Sequence, residues 1–80
     1  WKALSAARNA FRSGERDAAR LEEIARGKLM EAGARIDYAE LRDPAELQRP
    51  QTADAATRLF LAAFLGKTRL IDNGSMSEQG

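Results

Sequence analysis

Apolar residues in the first part of the chain recur at the spacing of a helix. Trp1, Leu4, Ala7 and Phe11 lie three or four positions apart, which places them on one helical stripe. Gly14 ends this pattern, because glycine readily adopts the left-handed conformation found where helices end. The pattern therefore predicts a first amphipathic helix whose apolar stripe packs on a core.

A second helical pattern covers residues 15–32. Its apolar stripe consists of Leu21, Ile24, Ala25 and Leu29. Glu22 precedes Arg26 by one helical turn, which predicts a weak ion pair on the surface. Gly27 interrupts the pattern and would permit close packing against the first helix, and Gly33 ends it.

The hydrophobic period changes after the second helix. The run at 36–41 is too short for a helix, and Ile36 and Tyr38 favour a strand, with Tyr38 expected in the core. Its alternation is imperfect, because Glu40 falls on the face that Ile36 and Tyr38 would share. An aspartate and a proline then predict a short helical turn over 43–47.

The stretch at 52–65 has no clear period. Its alanines and leucines favour a helix, whereas the run at 59–65 is apolar on every side, as in a central strand. Local pattern leaves helix and strand equally supported. Aspartate in place of Phe60 or Leu61 is expected to unfold the domain, because it would bury an unpaired charge. Gly66 predicts a tight reversal, after which a further extended segment follows.

Composition narrows the possible functions. The 80 residues include 44% hydrophobic and 31% charged residues, which indicates one small globular domain. Thirteen basic and 12 acidic residues give no bias toward nucleic acid or an anionic membrane. Without cysteine or histidine, the chain has no thiolate metal site, cysteine nucleophile or histidine base. It begins at Trp1 without a signal-peptide pattern, which predicts a piece of a longer, cytoplasmic protein.

Three segments of the chain together resemble one enzyme family. Residues 13–17 (Ser-Gly-Glu-Arg-Asp) resemble the turn between two helices of the family's C-terminal domain. Residues 36–44 resemble its strand with the pattern Asp-Tyr-x-Glu followed by Asp-Pro, and residues 66–73 resemble its Gly-x-Thr-Arg-Leu-Ile-Asp-Asn end. The segments occur in the family's order and spacing across most of the chain, and the family that they resemble is the pantothenate synthetases (pantoate–β-alanine ligases).

The resemblance implies a fold and a domain division. In the family, the segment that corresponds to the apolar run at 59–65 is a strand. The resemblance therefore predicts an α+β fold of two N-terminal helices packed on an antiparallel sheet of about three strands. Residues 1–73 would form the family's C-terminal lid-type domain. Residues 74–80 would form a flexible tail, including Ser75, Met76 and Ser77, which echo a phosphate-contacting loop of the family but occur at the wrong end of the domain.

The resemblance also implies a chemistry. Members of the family use ATP and magnesium to convert pantoate into an acyl adenylate, which β-alanine attacks to give pantothenate, AMP and pyrophosphate. The site lies mainly on an N-terminal Rossmann-like domain, which would be the partner of this lid. The parent could be a homodimer, although the sequence does not decide its oligomeric state. Because the N-terminal domain lies outside this chain, the isolated chain is expected to be inactive. From the balanced charge, no nucleic-acid or membrane partner is expected.

No catalytic, cofactor-binding or metal-binding residue is assigned to this chain. The family's His-x-Gly-His signature and its serine- and arginine-containing loop do not occur in the sequence. Lys67 and Arg69 could face nucleotide phosphates when the lid closes, but a solvated turn and an ion pair with Asp72 or Asp43 are the simpler expectations. Tyr38 and Glu40 could contact the N-terminal domain, but a core position is the simpler expectation for Tyr38.

Two other classes compete with this interpretation. The chain could be a stand-alone, non-enzymatic interaction module that uses exposed residues such as Trp1 and Phe11 as a contact patch. It could also be the lid of a different nucleotidyltransferase-like enzyme, although the motifs at 36–44 and 66–73 argue against that. A free-standing module predicts a discrete partner and no dependence on an upstream domain.

Overall fold

Two helices and three strands make up the fold in a computed structural model, which describes residues 2–45 and 48–77. The elements are α1 (Lys2–Arg12), α2 (Ala18–Glu31), β1 (Arg35–Arg42), β2 (Arg58–Leu65) and β3 (Thr68–Ser75). The strands form one antiparallel sheet in the order β1-β2-β3. This arrangement confirms the predicted α+β class. Trp1 and part of the turn predicted at 43–47 lie outside the described residues.

The helix ends follow the chemistry that the sequence predicts. Gly14 and Gly33 both have a positive φ, 114° and 79°, in the region that glycine adopts without strain. Asp17 caps α2, because its carboxylate accepts a hydrogen bond of 3.0 Å from the backbone N–H of Ala19. Gly27 has no atom within 4 Å of where its Cβ would stand, so this glycine does not serve close packing against α1.

The core lies between the helices and one face of the sheet. The described residues of the two helical stripes are buried as predicted, apart from Ile24, which is only half-buried. The largest fully buried side chains of the core are Leu21, Leu29, Leu41, Leu59, Leu61 and Met76. Because α1 packs on β3 and α2 packs on β1, the molecule has two layers, and only one face of the sheet is covered by helices.

Strand β2 resolves the ambiguity of the apolar run. Leu59, Leu61 and Ala63 belong to the core cluster beneath the helices, whereas Phe60 and Phe64 alternate with them and point to the opposite face. The run is apolar on both sides because β2 is the central strand, as the strand interpretation requires, although no helix covers its second side.

A bulge in β1 explains the imperfect alternation of that strand. The register shifts between Ile36 and Tyr38, so that Ile36 pairs with Ala63 and packs on the core. Tyr38 and Glu40 therefore lie on the opposite face from Ile36. The expectation that Tyr38 is a core residue is wrong: its side chain is half-buried on the face that the helices leave open.

The C-terminal boundary also differs from the prediction. Strand β3 continues to Ser75, and Met76 is fully buried in the core and donates its backbone N–H to the carbonyl of Thr57 at 2.9 Å. The flexible tail expected from residue 74 is therefore wrong for Gly74, Ser75 and Met76. One methionine among small polar residues gives no periodic signal. Residues 78–80 lie outside the described residues.

Candidate functional site

The side of the sheet away from the helices, which we call the open face, is the strongest candidate for a functional surface. Its residues follow from the strand register in four rows across β1, β2 and β3. The rows are Arg42–Arg58–Ser75, Glu40–Phe60–Asn73, Tyr38–Ala62–Ile71 and Arg35–Phe64–Arg69. Apolar side chains therefore occupy the middle of the open face, and arginines occupy both ends.

The centre of the open face is apolar and accessible. Ile71 is 61% exposed, although it is a large apolar side chain on a strand. Tyr38 and Phe60 are half-buried and line a shallow groove of about 320 Å³ together with Glu40 and Arg42. Monomeric surfaces rarely keep aromatic and β-branched side chains together in this way unless they bind something.

The two ends of the open face carry positive charge. Arg42 and Arg58 stand opposite each other in neighbouring strands, an arrangement that costs stability for like charges, and Arg42 forms an ion pair with Glu40. At the other end, the Arg35 guanidinium lies 4.7 Å from the centre of the Phe64 ring, which is a cation–π contact.

The hairpin residues Lys67 and Arg69 occupy different positions. Lys67 is exposed on the turn between β2 and β3, next to Gly66, whose φ is 62°. Arg69 lies on the open face, where its Nη2 is 2.9 Å from Oδ2 of Asp37. An ion pair was expected for Arg69, but its partner is Asp37 of the β1 bulge rather than Asp72 or Asp43.

A buried carboxylate holds the edge of the sheet next to α2. Glu22 is only 4% exposed; its Oε2 accepts a 2.7 Å hydrogen bond from the backbone N–H of Leu41, and its Oε1 pairs with Nη2 of Arg49. One turn later, Arg26 donates to the carbonyl of Ala39 at 3.2 Å. The predicted surface pair of Glu22 and Arg26 is wrong, because both side chains turn to the backbone of β1 and cover its free edge.

The Glu22 carboxylate also affects the charge of its partner. Its hydrogen bond, and then its negative charge, raises the pKa of Arg49 above the ordinary value, so the guanidinium stays protonated wherever the protein is folded. A cleft of about 680 Å³ next to this pair is lined by Arg16, Asp17 and residues 49–52. The pairing of Arg49 with Glu22 indicates a structural role.

Loss of the Glu22 carboxylate should measurably destabilise the fold. Glu22→Ala leaves the buried N–H of Leu41 without its acceptor, and we expect the free energy of unfolding to fall by about 3 kcal/mol. Glu22→Gln is the matched control, since its amide oxygen can still accept that hydrogen bond, and about 1 kcal/mol is expected. Urea denaturation measures both losses. Equal losses would contradict the role of the Leu41 hydrogen bond.

The described residues contain neither a candidate metal-binding cluster nor a helix that could span a membrane. Across residues 2–45 and 48–77, no group of three or more Asp, Glu, His or Cys side chains could hold a metal ion. None of the helices in the same part of the chain combines the length and the apolar character needed to cross a membrane.

Comparison with known proteins gives the family. The family model described as pantoate-beta-alanine ligase matches residues 1–75. The chain belongs to the pantoate–β-alanine ligase family. It is 51% identical over 74 residues to the pantothenate synthetase of Anaeromyxobacter dehalogenans, and 44% identical over 79 residues to that of Geobacter sulfurreducens. The family resemblance inferred from the three motifs is thereby confirmed.

The match covers most of this chain but a small part of each relative. The alignments cover 92% and 98% of this chain and only 26% and 28% of those two synthetases. A crystal structure of pantothenate synthetase from Thermus thermophilus superimposes with a TM-score of 0.84 and 25% sequence identity, covering 98% of this chain and 28% of that one. The chain thus corresponds to about a quarter of a ligase of this family.

Two of the three motifs that carried the family resemblance meet on the open face. The strand motif supplies Tyr38 and Glu40, and the C-terminal motif supplies Arg69, Ile71 and Asn73. Sequence reasoning did not assemble this surface. The alternation of leucines and phenylalanines along β2 does indicate two faces. It could not be recognised in the sequence, because the residues of both faces are apolar.

Proposed function

We propose that this chain is the C-terminal lid domain of a pantothenate synthetase, which condenses pantoate and β-alanine through a pantoyl adenylate and releases AMP and pyrophosphate. The observation that carries the proposal is the family match over residues 1–75, in a chain that spans only 26% and 28% of the first two relatives. A stand-alone interaction module is not favoured, because the matched relatives are synthetases.

Acyl adenylates hydrolyse in water, so the enzyme needs a lid that keeps water away from this intermediate. A domain that closes over the site excludes water while β-alanine attacks the adenylate, which favours ligation over hydrolysis. Such a domain needs a rigid body and an accessible surface that can be covered on closure. The two-layer fold supports this role, because its core is packed on one face of the sheet and its open face remains accessible.

ATP and magnesium would be held outside this chain. Glu40 on the open face pairs with Arg42, and Asp37 at the β1 bulge pairs with Arg69. The described residues contain no acidic cluster that suits a divalent cation. We therefore assign no step of the adenylation to a side chain of this domain. Its proposed contribution is to enclose the site and exclude water.

The proposal predicts that the isolated chain has no ligase activity. Incubated with pantoate, β-alanine, ATP and magnesium, it should release no AMP above the enzyme-free background. The full-length Geobacter sulfurreducens synthetase under the same conditions is the positive control. AMP release by this chain that depends on pantoate, at a rate comparable with the control, would contradict the lid assignment.

A further inference from the structure

We propose that the open face, rather than the helical layer, is the surface that docks onto the remainder of the synthetase when the lid closes. This inference rests on the proposed function and specifies which surface performs it. The occupant is an apolar surface with an acidic rim, supplied by the part of the enzyme outside this chain. About three quarters of the length of the matched relatives lies outside the aligned segment and is available to supply it.

The composition of the open face is that of a protein interface. Three aromatic side chains, four arginines and no lysine occupy its rows. Aromatic residues and arginine are enriched at protein interfaces and lysine is depleted. The helical layer offers no comparable patch among its described residues: Met30, 67% exposed on α2, is its only exposed large apolar side chain.

The charge of the open face specifies the rim of its partner. Arg42 forms an ion pair with Glu40, and Arg69 forms one with Asp37. The Arg35 guanidinium instead lies over the Phe64 ring and has no ion pair among the described residues. An acidic group on the partner would give Arg35 an ion-pair partner when the face is covered. An apolar surface bordered by aspartate or glutamate therefore fits both the centre of the face and its Arg35 end.

The same charge pattern argues against a second copy of this chain as the occupant. Both ends of the open face carry arginines, and its centre is apolar. Stacking two open faces would bring arginine ends together or would bury an arginine on the apolar centre of the other copy. Either arrangement is unfavourable, because like charges repel and a buried unpaired charge costs free energy.

Cysteine accessibility tests the proposal directly, because this chain contains no native cysteine. Ile71→Cys places a thiol on the open face, and Met30→Cys places a matched thiol on the helical layer at a similarly exposed apolar position. Each variant is made in the full-length enzyme that carries this chain. Alkylation by a maleimide is followed by mass spectrometry of the labelled peptide, with and without magnesium-ATP and pantoate.

Substrates should protect only the thiol on the open face. We expect substrates to slow the alkylation of Ile71→Cys at least about tenfold, because a lid that is closed nine-tenths of the time exposes the thiol for only the remaining tenth. The alkylation rate of Met30→Cys should not change. Equal rates with and without substrates would overturn the proposal, as would protection of Met30→Cys instead. Protection that increases with enzyme concentration would assign the face to a second copy and would also overturn it.

Ligase activity, measured in the same samples, separates this inference from the proposed function. Normal AMP release together with an unprotected Ile71→Cys thiol would overturn the docking face and leave the lid assignment intact. Absence of pantoate-dependent AMP release from the unsubstituted full-length enzyme would overturn the proposed function, and the docking face with it.

Discussion

We expect Leu61→Asp to unfold the chain, whereas the same substitution at the neighbouring Phe60 should leave it folded. Leu61 is 1% exposed and faces the helices, so an aspartate there would be buried without a partner. We expect a loss of at least about 4 kcal/mol, comparable with the whole stability of a domain of this size. Phe60 lies on the open face, where a carboxylate reaches water, and a loss of about 1–2 kcal/mol is expected.

Thermal melting followed by circular dichroism distinguishes the two variants. Leu61→Ala and Phe60→Ala serve as controls that remove the same side chains without adding a charge, and the former should again be the more damaging. Equal destabilisation by the two aspartates would contradict the alternation along β2 and the existence of an open face. The sequence predicts that aspartate at either position unfolds the domain. Because Phe60 lies on the open face, we now expect this only for Leu61.

The second large effect is expected at Gly74. A Cβ at this position would lie 2.0 Å from Nη2 of Arg8 and 3.1 Å from Cδ2 of Leu4. Arg8 is only 5% exposed and its Nε donates to the carbonyl of Ser75 at 2.9 Å, so the guanidinium cannot move aside without losing that bond. We expect Gly74→Ala to lower the free energy of unfolding by about 2–4 kcal/mol, measured by urea denaturation.

Two control variants make this prediction specific. Gly27→Ala changes a glycine with open space around it in an exposed part of α2, and should stabilise the fold by up to about 1 kcal/mol. In an Arg8→Ala background the clash with the guanidinium is removed, so Gly74→Ala should cost at least about 1 kcal/mol less. An unchanged cost in that background would show that Arg8 is not the obstacle.

The helices could be predicted from the sequence because their signals are local. Apolar spacing of three and four placed the stripes of α1 and α2, and Gly14 and Gly33 gave their ends through backbone conformation alone. The strand at 58–65 could not be decided in this way. Leucine, alanine and phenylalanine pack equally well on a helix or within a sheet, and only the family resemblance favoured the strand that the structure contains.

The features that sequence reasoning missed depend on contacts between distant parts of the chain. Glu22 has the spacing of a surface residue on α2, but its carboxylate is bound by Leu41 and Arg49, which lie 19 and 27 positions further along the chain. Met76 is buried because it follows directly on β3, which leads it into the core, and no local pattern indicates this. The open face likewise requires the register of three strands and the bulge in β1 before its rows can be assembled.

The central claim, that this chain is the lid domain of a pantothenate synthetase, is tested most directly by a segment exchange. The matching segment of the Anaeromyxobacter dehalogenans synthetase, 51% identical over 74 residues, is replaced by this chain, and AMP release is measured with pantoate and β-alanine. We predict AMP release within about tenfold of the parent, which corresponds to an activation barrier raised by at most about 1.4 kcal/mol, and no AMP release when the segment is deleted. A folded chimaera without pantoate-dependent AMP release, or a deletion variant with parental activity, would contradict the claim.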